Sequence, residues 1–487
     1  MRLVLRAVVL LLAPGLFLLA LLGAISRGDE TYVRPDNYGQ QWVRSNPFMM
    51  AGWSSADVAP SLLSGVGLNS VEINAANNGS YITRYNNAGY SPLWHGILSA
   101  SSLTDAIKTR ANSLYAAHTT GAAGWYICDE PTSDKYAGVG EVGTWLKSQS
   151  QFSNMLVYAN IVGPYTGSSS GEAAGDAAVQ AYIDAVQPDV LMYDYYPFRT
   201  THSGVASPNM FYDGLMGFRR MGLANNLPYF AFLQSFLKEG STYRYPSDSE
   251  NRLNVYAYLT AGYKGLSYFR YSAGSDSSLV TGSNGTGTTN AMYSYAAVAN
   301  AEAQKLGNVL RAATSTAVSY VAGQTKYFGW TFQNDVPYSL SNWSEGTGGD
   351  SHILDISVKQ NGELMDGMIG FFTDDRGEEL FMLTNVFSGT ATASNYALPF
   401  EVTFDDSVDS LLWLDQTTGE ETVVWLDDHV LDVTLAGGTG NLYKYNNGFS
   451  FIPEPGTLVM LTTGLTGLAA YIGCKRRRRR NGRRMAR

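Results

Sequence analysis

Cysteine is nearly absent from this chain of 487 residues, which contains only Cys128 and Cys474. Two cysteines exclude a disulfide framework and the paired CxxC spacing of a structural zinc site. The five histidines are widely separated and form neither an HExxH nor an HxH pattern. We therefore expect no dedicated transition-metal site and no cofactor.

Charged residues are also scarce, at 15% of the chain, and the bases are concentrated at its two ends. Of the 33 Lys and Arg residues, nine lie in 475–487 and three in 1–28, and neither segment contains an acid. The body from Asp29 to Cys474 therefore holds 21 bases and 42 acids, a net charge of −21. Such a surface repels phosphate backbones, which argues against nucleic acid as a partner and favours a neutral or cationic ligand.

The first 28 residues have the pattern of a secretory signal peptide. A short basic region, Met1 to Arg6, precedes an apolar run from Ala7 to Ala24, and small residues follow. The run is long for a signal core, so an uncleaved membrane anchor is the alternative.

The last 41 residues, 447–487, form a linker and a second targeting pattern. Pro453, Glu454 and Pro455 precede an apolar stretch over 457–473 and then a block of arginines. Seventeen apolar residues reach the lower limit of about 17–25 for a transmembrane span, and the basic block would stay in the cytoplasm. This order resembles the PEP-CTERM sorting tail of bacterial exported proteins. The resemblance implies transient anchoring in the inner membrane, recognition by an exosortase-type sorting enzyme, and delivery to the cell envelope or exopolysaccharide matrix.

The segment over 29–313 alternates short apolar runs with helical patterns, which is typical of repeated strand–helix units and a parallel sheet. The candidate strands are Pro47 to Trp53, Ser70 to Ala75, Leu93 to Leu98, Gly124 to Glu130, Met155 to Ile161, Asp189 to Phe198, Pro228 to Phe236 and Gly265 to Ser272. Eight strands in this length match a (β/α)8 (TIM) barrel, typically about 250 residues. A doubly wound sheet is the alternative, but no GxGxxG follows the first strand.

Helix signals separate these strands. Ser247 and Glu250 have the spacing of a capping box, and a last helix is predicted over Ala291 to Leu310. Over 314–446 the helical period disappears, and regularly spaced short strands predict a C-terminal β-sandwich. The predicted class is therefore α/β, with a barrel followed by a sandwich.

In a barrel of this kind the reacting groups project from the carboxyl ends of the strands. The fourth strand ends in Asp129 and Glu130, and strict alternation would place Tyr126, Cys128 and Glu130 on one face, opposite Asp129. A carboxylic acid at an aromatic-lined mouth has its pKa raised by desolvation and can act as a general acid. The alternative is that Asp129 or Glu130 caps the next helix.

Other strand ends carry further candidates. The sixth strand ends in Tyr193, Asp194 and Tyr196, and aromatic rings beside an acid suit sugar binding. The remaining candidates are Trp53, Glu72 and Asn74 on the first two strands, Gln234 on the seventh and Arg270 on the eighth. Arg270 either orients a carboxylate or forms an ion pair in the barrel wall.

The Asp129-Glu130-Pro131 and Asp194-Tyr195-Tyr196-Pro197 motifs, with the barrel-plus-sandwich plan, resemble the clan A glycoside hydrolases. The resemblance implies carbohydrate as the partner and Glu130 as general acid/base. The usual nucleophile of that clan is a Glu ending the seventh strand, where this chain has Gln234. Either Asp194 or Glu72 supplies the second carboxylate, for example as a base that activates water, or the strand register differs, or the barrel only binds glycan.

Overall fold

The computed structural model describes residues 34–74, 79–95, 102–118, 122–274, 277–323, 326–327, 330–331 and 336–451. The predicted signal peptide and the sorting motif at Pro453, Glu454 and Pro455 lie outside these ranges. Inside them, no helix combines the length and the apolar character that a membrane span requires.

Eight parallel strands form a closed barrel. They are β1 (Met49–Ser54), β2 (Glu72–Asn74), β3 (Leu93–His95), β4 (Gly124–Asp129), β5 (Leu156–Val162), β6 (Leu191–Asp194), β7 (Tyr229–Gln234) and β8 (Gly265–Ala273). Each strand pairs in parallel with the next, and β1 also pairs with β8, which closes the barrel. The predicted (β/α)8 barrel is confirmed.

Helices surround the barrel. They are α1 (Tyr38–Ser45), α2 (Pro60–Gly65), α3 (Gly79–Asn87), α4 (Asp105–Ala117), α5 (Tyr136–Ser148), α6 (Ser169–Val186), α7 (Pro208–Ala224), α8 (Asp248–Thr260) and α9 (Ala291–Leu310). The predicted capping box is present at the start of α8, where the Ser247 hydroxyl accepts from the Glu250 amide and the Glu250 carboxylate accepts from the Ser247 amide. The α9 helix has the predicted bounds.

Both faces of the barrel strands are buried, which explains their nearly continuous apolar sequences. The inward side chains form a core inside the barrel that is unusually aromatic, with Tyr126, Tyr158, Phe230 and Phe232 among its members. The outward side chains form a second core with the helices. Since the interior is filled, space for a ligand remains only at the ends of the strands.

The C-terminal region forms a β-sandwich, as predicted. A short hairpin, β9 (Val280–Thr281) and β10 (Thr288–Thr289), lies beside the barrel and precedes this region. The strands of the region are β11 (Thr314–Val321), β12 (Lys326–Tyr327), β13 (Trp330–Thr331), β14 (Ser341–Asn342), β15 (Ile353–Gln360), β16 (Glu363–Leu364), β17 (Gly367–Thr373), β18 (Glu379–Asn385), β19 (Leu398–Phe404), β20 (Ser410–Leu414), β21 (Glu421–Trp425), β22 (Val430–Leu435) and β23 (Gly440–Tyr445). One sheet has the order β14-β11-β17-β18-β23-β20-β21 and the other the order β16-β15-β19-β22. Apolar side chains such as Phe371, Phe381 and Phe400 form the core between them.

The sandwich packs against the barrel through α8. The hydroxyls of Thr260 and Thr384 lie 2.6 Å apart, and a Cβ added at Gly370 would come within 2.0 Å of the Thr260 carbonyl oxygen. Met368 and Phe372 of β17 belong to the same apolar core as the barrel helices. The absence of a side chain at Gly370 therefore allows the sheet and the helix to touch.

We predict that Gly370→Ala lowers the free energy of unfolding by about 1–3 kcal/mol, because the added methyl group must push α8 and β17 apart. Urea denaturation measures the change. Gly274→Ala is the matched control, since an added Cβ there meets no atom of the described residues within 4 Å. Equal stability of the two variants would contradict the proposed close contact.

Candidate active site

A cavity of about 210 Å³ opens at the carboxyl end of the barrel, where the reacting groups of such folds lie. Its lining residues are Trp53, Tyr126, Asp129, Glu130, Asn160, Asp194, Tyr196, Phe232 and Phe269. The structure thus brings together five of the residues that the sequence proposed for the site, from β1, β4 and β6. They are Trp53, Asp129, Glu130, Asp194 and Tyr196.

The end of β4 departs from the alternation expected from the sequence. The register between β4 and β5 shifts between Tyr126 and Asp129, so that both residues face the cavity. The Tyr126 hydroxyl donates to Asp129 at 2.5 Å, whereas Cys128 packs against the core outside the barrel. The expected grouping of Tyr126 with Cys128, opposite Asp129, is therefore wrong, because an irregularity of this kind redirects side chains near a strand end.

Glu130 follows the strand with a positive φ of 44°, a left-handed conformation that is uncommon outside glycine. Its amide donates to the Asn160 carbonyl oxygen at 3.0 Å, and its side chain is exposed at the cavity. Neither Asp129 nor Glu130 caps the following helix, since no side chain caps α5 or the short 3-10 turn before it. Uncommon backbone conformations of this kind often occur at functional sites.

Glu130 and Asp194 form a hydrogen-bonded pair of carboxyl groups, and the Tyr196 hydroxyl donates to Asp194. Burial, and then the charge of Glu130, raises the pKa of Asp194 to about 7. The charge of one carboxylate opposes ionisation of the other, so Asp194 keeps a proton up to about neutral pH.

Aromatic rings form the walls of the cavity. The Trp53 ring centroid lies 5.3 Å from that of Phe269, which in turn lies 5.6 Å from that of Tyr196. His95 stacks on Trp53 at 5.3 Å, and burial lowers the pKa of this histidine to about 4. A neutral imidazole therefore supports the indole from beneath the cavity.

Five candidates do not line the cavity, namely Glu72, Asn74, Tyr193, Gln234 and Arg270. Tyr193 points out of the barrel and stacks on Phe218 at 4.0 Å, because Asp194 beside it points inward and neighbouring residues of a strand face opposite ways. Asn74 ends β2 opposite His95. Glu72 is fully buried inside the barrel, where burial raises its pKa to about 8, against the opposing effect of the nearby Ser267 hydroxyl.

Gln234 is a structural amide that does not line the cavity. Its Nε2 donates to the carbonyl oxygens of Phe198 at 2.9 Å and Arg244 at 2.8 Å, and its Oε1 accepts from the Phe198 amide at 2.8 Å. Gln234 therefore joins the loop after β6 to the loop after β7.

Arg270 lies in a second depression next to the cavity, which we call the rim groove. The rim groove has a volume of about 780 Å³ and is lined by Phe236, Leu237, Lys238, Glu239, Phe269, Arg270 and Ser277. Phe269 borders both the cavity and the rim groove. A further depression of about 670 Å³ at the opposite end of the barrel contains the buried ion pair of Arg34 with Asp189.

Sequence reasoning missed several residues of the site. Asn160 interrupts the apolar run of β5, and its Nδ2 lies 3.3 Å from an Asp129 oxygen, so a lone amide in a buried strand was an available signal. Phe232 and Phe269 had no such signal, because aromatic residues are frequent in this chain. Among the described residues, no group of three His, Cys, Asp or Glu could hold a metal ion.

Comparisons with known proteins were made for the sequence and for the structure. No protein-family model matches the chain, and no curated protein matches it. Its fold is similar to that of a GH27 β-L-arabinopyranosidase from Geobacillus stearothermophilus (10% identity, 85% of this chain and 99% of the other, TM-score 0.43).

Two further solved structures show a similar fold. One is an endo-β-1,4-mannanase from Thermotoga petrophila (12% identity, covering 70% of this chain and 96% of the other, TM-score 0.39). The other is a GH30 endoxylanase from Clostridium papyrosolvens (10% identity, covering 82% of this chain and 96% of the other, TM-score 0.35). Similarities this distant do not establish the chemistry of this chain.

We predict a specific pH dependence for Asp194→Asn. A carboxyl whose pKa is raised from 3.8 to about 7 stabilises the folded protein at low pH, and this contribution is lost as the pH rises through 7. Between pH 4 and 7 the variant should therefore gain stability relative to the native protein, by roughly 2–4 kcal/mol. Urea denaturation across this range is the measurement. Asp355→Asn, at an exposed position of the sandwich, should show no such trend.

We also predict that Gln234→Glu lowers the free energy of unfolding by roughly 2–4 kcal/mol and adds no catalytic power. A carboxylate cannot donate to the two carbonyl oxygens that Gln234 Nε2 contacts. Gln151→Glu, at an exposed position, is the control. A stable Gln234→Glu variant with increased sugar release would show instead that position 234 is a catalytic position.

Proposed function

We propose that this protein is an exported glycoside hydrolase that acts on a polysaccharide, with Glu130 and Asp194 as its catalytic carboxyl groups. The observation that carries this proposal is the hydrogen-bonded carboxyl pair in an aromatic cavity at the mouth of the barrel. Aromatic faces stack on the C–H faces of sugar rings, and carboxyl groups accept from sugar hydroxyls.

Cleavage of a glycosidic bond requires one protonated carboxyl and one ionised carboxylate. The pair supplies both, because it holds one proton near neutral pH. Glu130 is the more exposed member and is placed to pass this proton to the glycosidic oxygen. An oxygen of the ionised Asp194 carboxylate then forms a bond to the anomeric carbon as the bond to the protonated leaving oxygen breaks, and water later displaces this ester. Water completes the hydrolysis and returns a proton to the pair.

The separation of the two groups favours one stereochemical outcome. Inverting enzymes need a gap of about 6.5–9.5 Å for a water molecule, and retaining enzymes need about 5–5.5 Å. Glu130 and Asp194 interact directly, so their separation is nearer to the shorter of these two distances. This supports retention, with Asp194 on β6 in place of the expected glutamate on β7. It does not support a role for the buried Glu72 as the second carboxylate.

The targeting patterns support the exported part of the proposal. The signal pattern over 1–28 directs the chain across the inner membrane, and the tail with Pro453, Glu454 and Pro455 anchors it there transiently. An exosortase-type enzyme then releases it to the cell envelope or the extracellular matrix. A polysaccharide of that matrix is accessible to the protein in this location.

A non-catalytic glycan-binding protein is the second candidate function. The observation that favours it is Gln234, which leaves β7 without the carboxylate that the clan A resemblance implies. The same aromatic cavity would then retain glycan without cleaving it.

Reducing-sugar release from a polysaccharide panel tests the proposal. The panel covers β-glucans, xylan, mannan, arabinan, galactan and polygalacturonate. Glu130→Gln and Asp194→Asn should each lower the rate by roughly 10²- to 10⁴-fold, because each removes a proton-transfer or charge-stabilising group. Glu363→Gln, on an exposed hairpin of the sandwich, should leave the rate unchanged.

Circular dichroism checks that each variant remains folded. Undiminished hydrolysis by folded Glu130→Gln would overturn the assigned role. Retention of a glycan by the native protein, without turnover of any substrate in the panel, would favour the non-catalytic candidate.

A further inference from the structure

The rim groove contains two cations, Arg270 and Lys238, that form no ion pair with the described carboxylates. Arg270 is half-buried, and its Nε donates to the Ser277 carbonyl oxygen at 3.2 Å. Among the described residues, no hydrogen bond or ion pair joins its two terminal guanidinium nitrogens to the protein. Lys238 is exposed on the same groove and likewise forms no ion pair within the described part of the chain.

Arg199 and Arg219 also donate to neutral groups and form no ion pair among the described residues. In a body with twice as many acids as bases, seven other described arginines pair with carboxylates. Those that do so are Arg34, Arg44, Arg84, Arg220, Arg244, Arg252 and Arg376. Glu239, although it lines the same groove, forms no ion pair with Arg270 or Lys238 within 4.0 Å. The Arg270 guanidinium donates to a neutral oxygen from Nε, and its terminal nitrogens are two further donors that suit an anionic group.

The rim groove and its positive charge lie next to the candidate active site. Phe269 forms a wall of both depressions, and Phe236, which lines the groove, contacts Phe269 and Tyr196 at ring distances of 5.4 and 5.0 Å. A sugar chain with one residue over Glu130 would therefore place a neighbouring residue beside Arg270.

We propose that the rim groove binds an anionic substituent of the polysaccharide, a carboxylate or a sulfate ester, with Arg270 as the main contact and Lys238 as an outer one. A planar guanidinium presents two parallel donors that match the oxygens of either group. This inference rests on the proposed action on a glycan and names the chemical class of that glycan. The net charge of the whole body predicts a neutral or cationic ligand. That expectation does not apply at the rim groove, since charges more than about 8 Å away are largely screened at physiological salt.

Binding by the full chain carrying Glu130→Gln tests the inference without requiring turnover. The probes are hexagalacturonate, its methyl ester and a sulfated galactan hexamer without uronic acid, and calorimetry measures the dissociation constants. We expect at least one anionic probe to bind about tenfold or more tightly than the neutral ester. The preferred anionic probe then identifies the substituent as a carboxylate or a sulfate.

Variants of Arg270 and Lys238 test which side chain contacts the anionic group. Arg270→Gln should abolish the preference for the anionic probe, Arg270→Lys should restore part of it, and Lys238→Gln should reduce it about two- to threefold. Lys359→Gln, on the sandwich, is the matched control and should have no effect. Thermal unfolding checks that every variant is folded.

The proposal is overturned if neither anionic probe binds more tightly than the ester, including the case in which no probe binds. It is also overturned if Arg270→Gln keeps the full preference. Charge-dependent binding by a protein that hydrolyses no polysaccharide would support the rim groove and contradict the catalytic proposal. Failure of the rim-groove proposal can therefore be distinguished from failure of the catalytic proposal.

Discussion

Desolvation by the aromatic interior of the barrel is the constraint on which the candidate site depends. Tyr126, Tyr158, Phe230 and Phe232 fill the barrel below the cavity and keep water away from the carboxyl groups on that side. Burial is accordingly the largest cause of the raised pKa of Asp194. Tyr126 and Phe232 also line the cavity itself. Packing of the barrel and the proton affinity of Asp194 thus have one origin.

A buried network holds the loops around this site. Gln234 joins the loops that follow β6 and β7, and Arg244 forms two bonds of 2.6 Å to the fully buried Glu250. Glu250 also completes the capping box of α8 and accepts from the Gly204 amide. Breaking a buried pair of this kind is costly because it leaves an uncompensated charge. The network therefore fixes the positions of Asp194 and Tyr196 relative to β7, and it explains why a glutamine rather than an acid stands at position 234.

The regular parts of the fold could be predicted from the sequence, and the irregular parts could not. The eight strands, the helix over Ala291–Leu310 and the capping box follow from apolar runs, period and spacing, which are local properties. The direction in which side chains of β4 and β8 point depends on an irregular register with a neighbouring strand. Alternation within a single strand gives no information about that register. For this reason alternation predicts Asp129 on the face opposite Tyr126, its actual partner, and gives no signal for Phe269. The sixth strand ends at Asp194, three residues before Pro197, and the proline does not distinguish the outward Tyr193 from the inward Asp194.

The composition of the cavity leads to its chemistry. Three acids, Asp129, Glu130 and Asp194, lie together there, and the described lining residues include no lysine or arginine. Asp129 accepts from the Tyr126 hydroxyl and lies near the Asn160 amide, and neutral donors such as these offset only part of a negative charge. Glu130 and Asp194 have each other as partners, so the remaining repulsion is relieved by a bound proton. A cation at this position would have removed the need for that proton. Its absence from the lining therefore makes the pair both an acid and a base at neutral pH, which is the property that cleavage of a glycosidic bond requires.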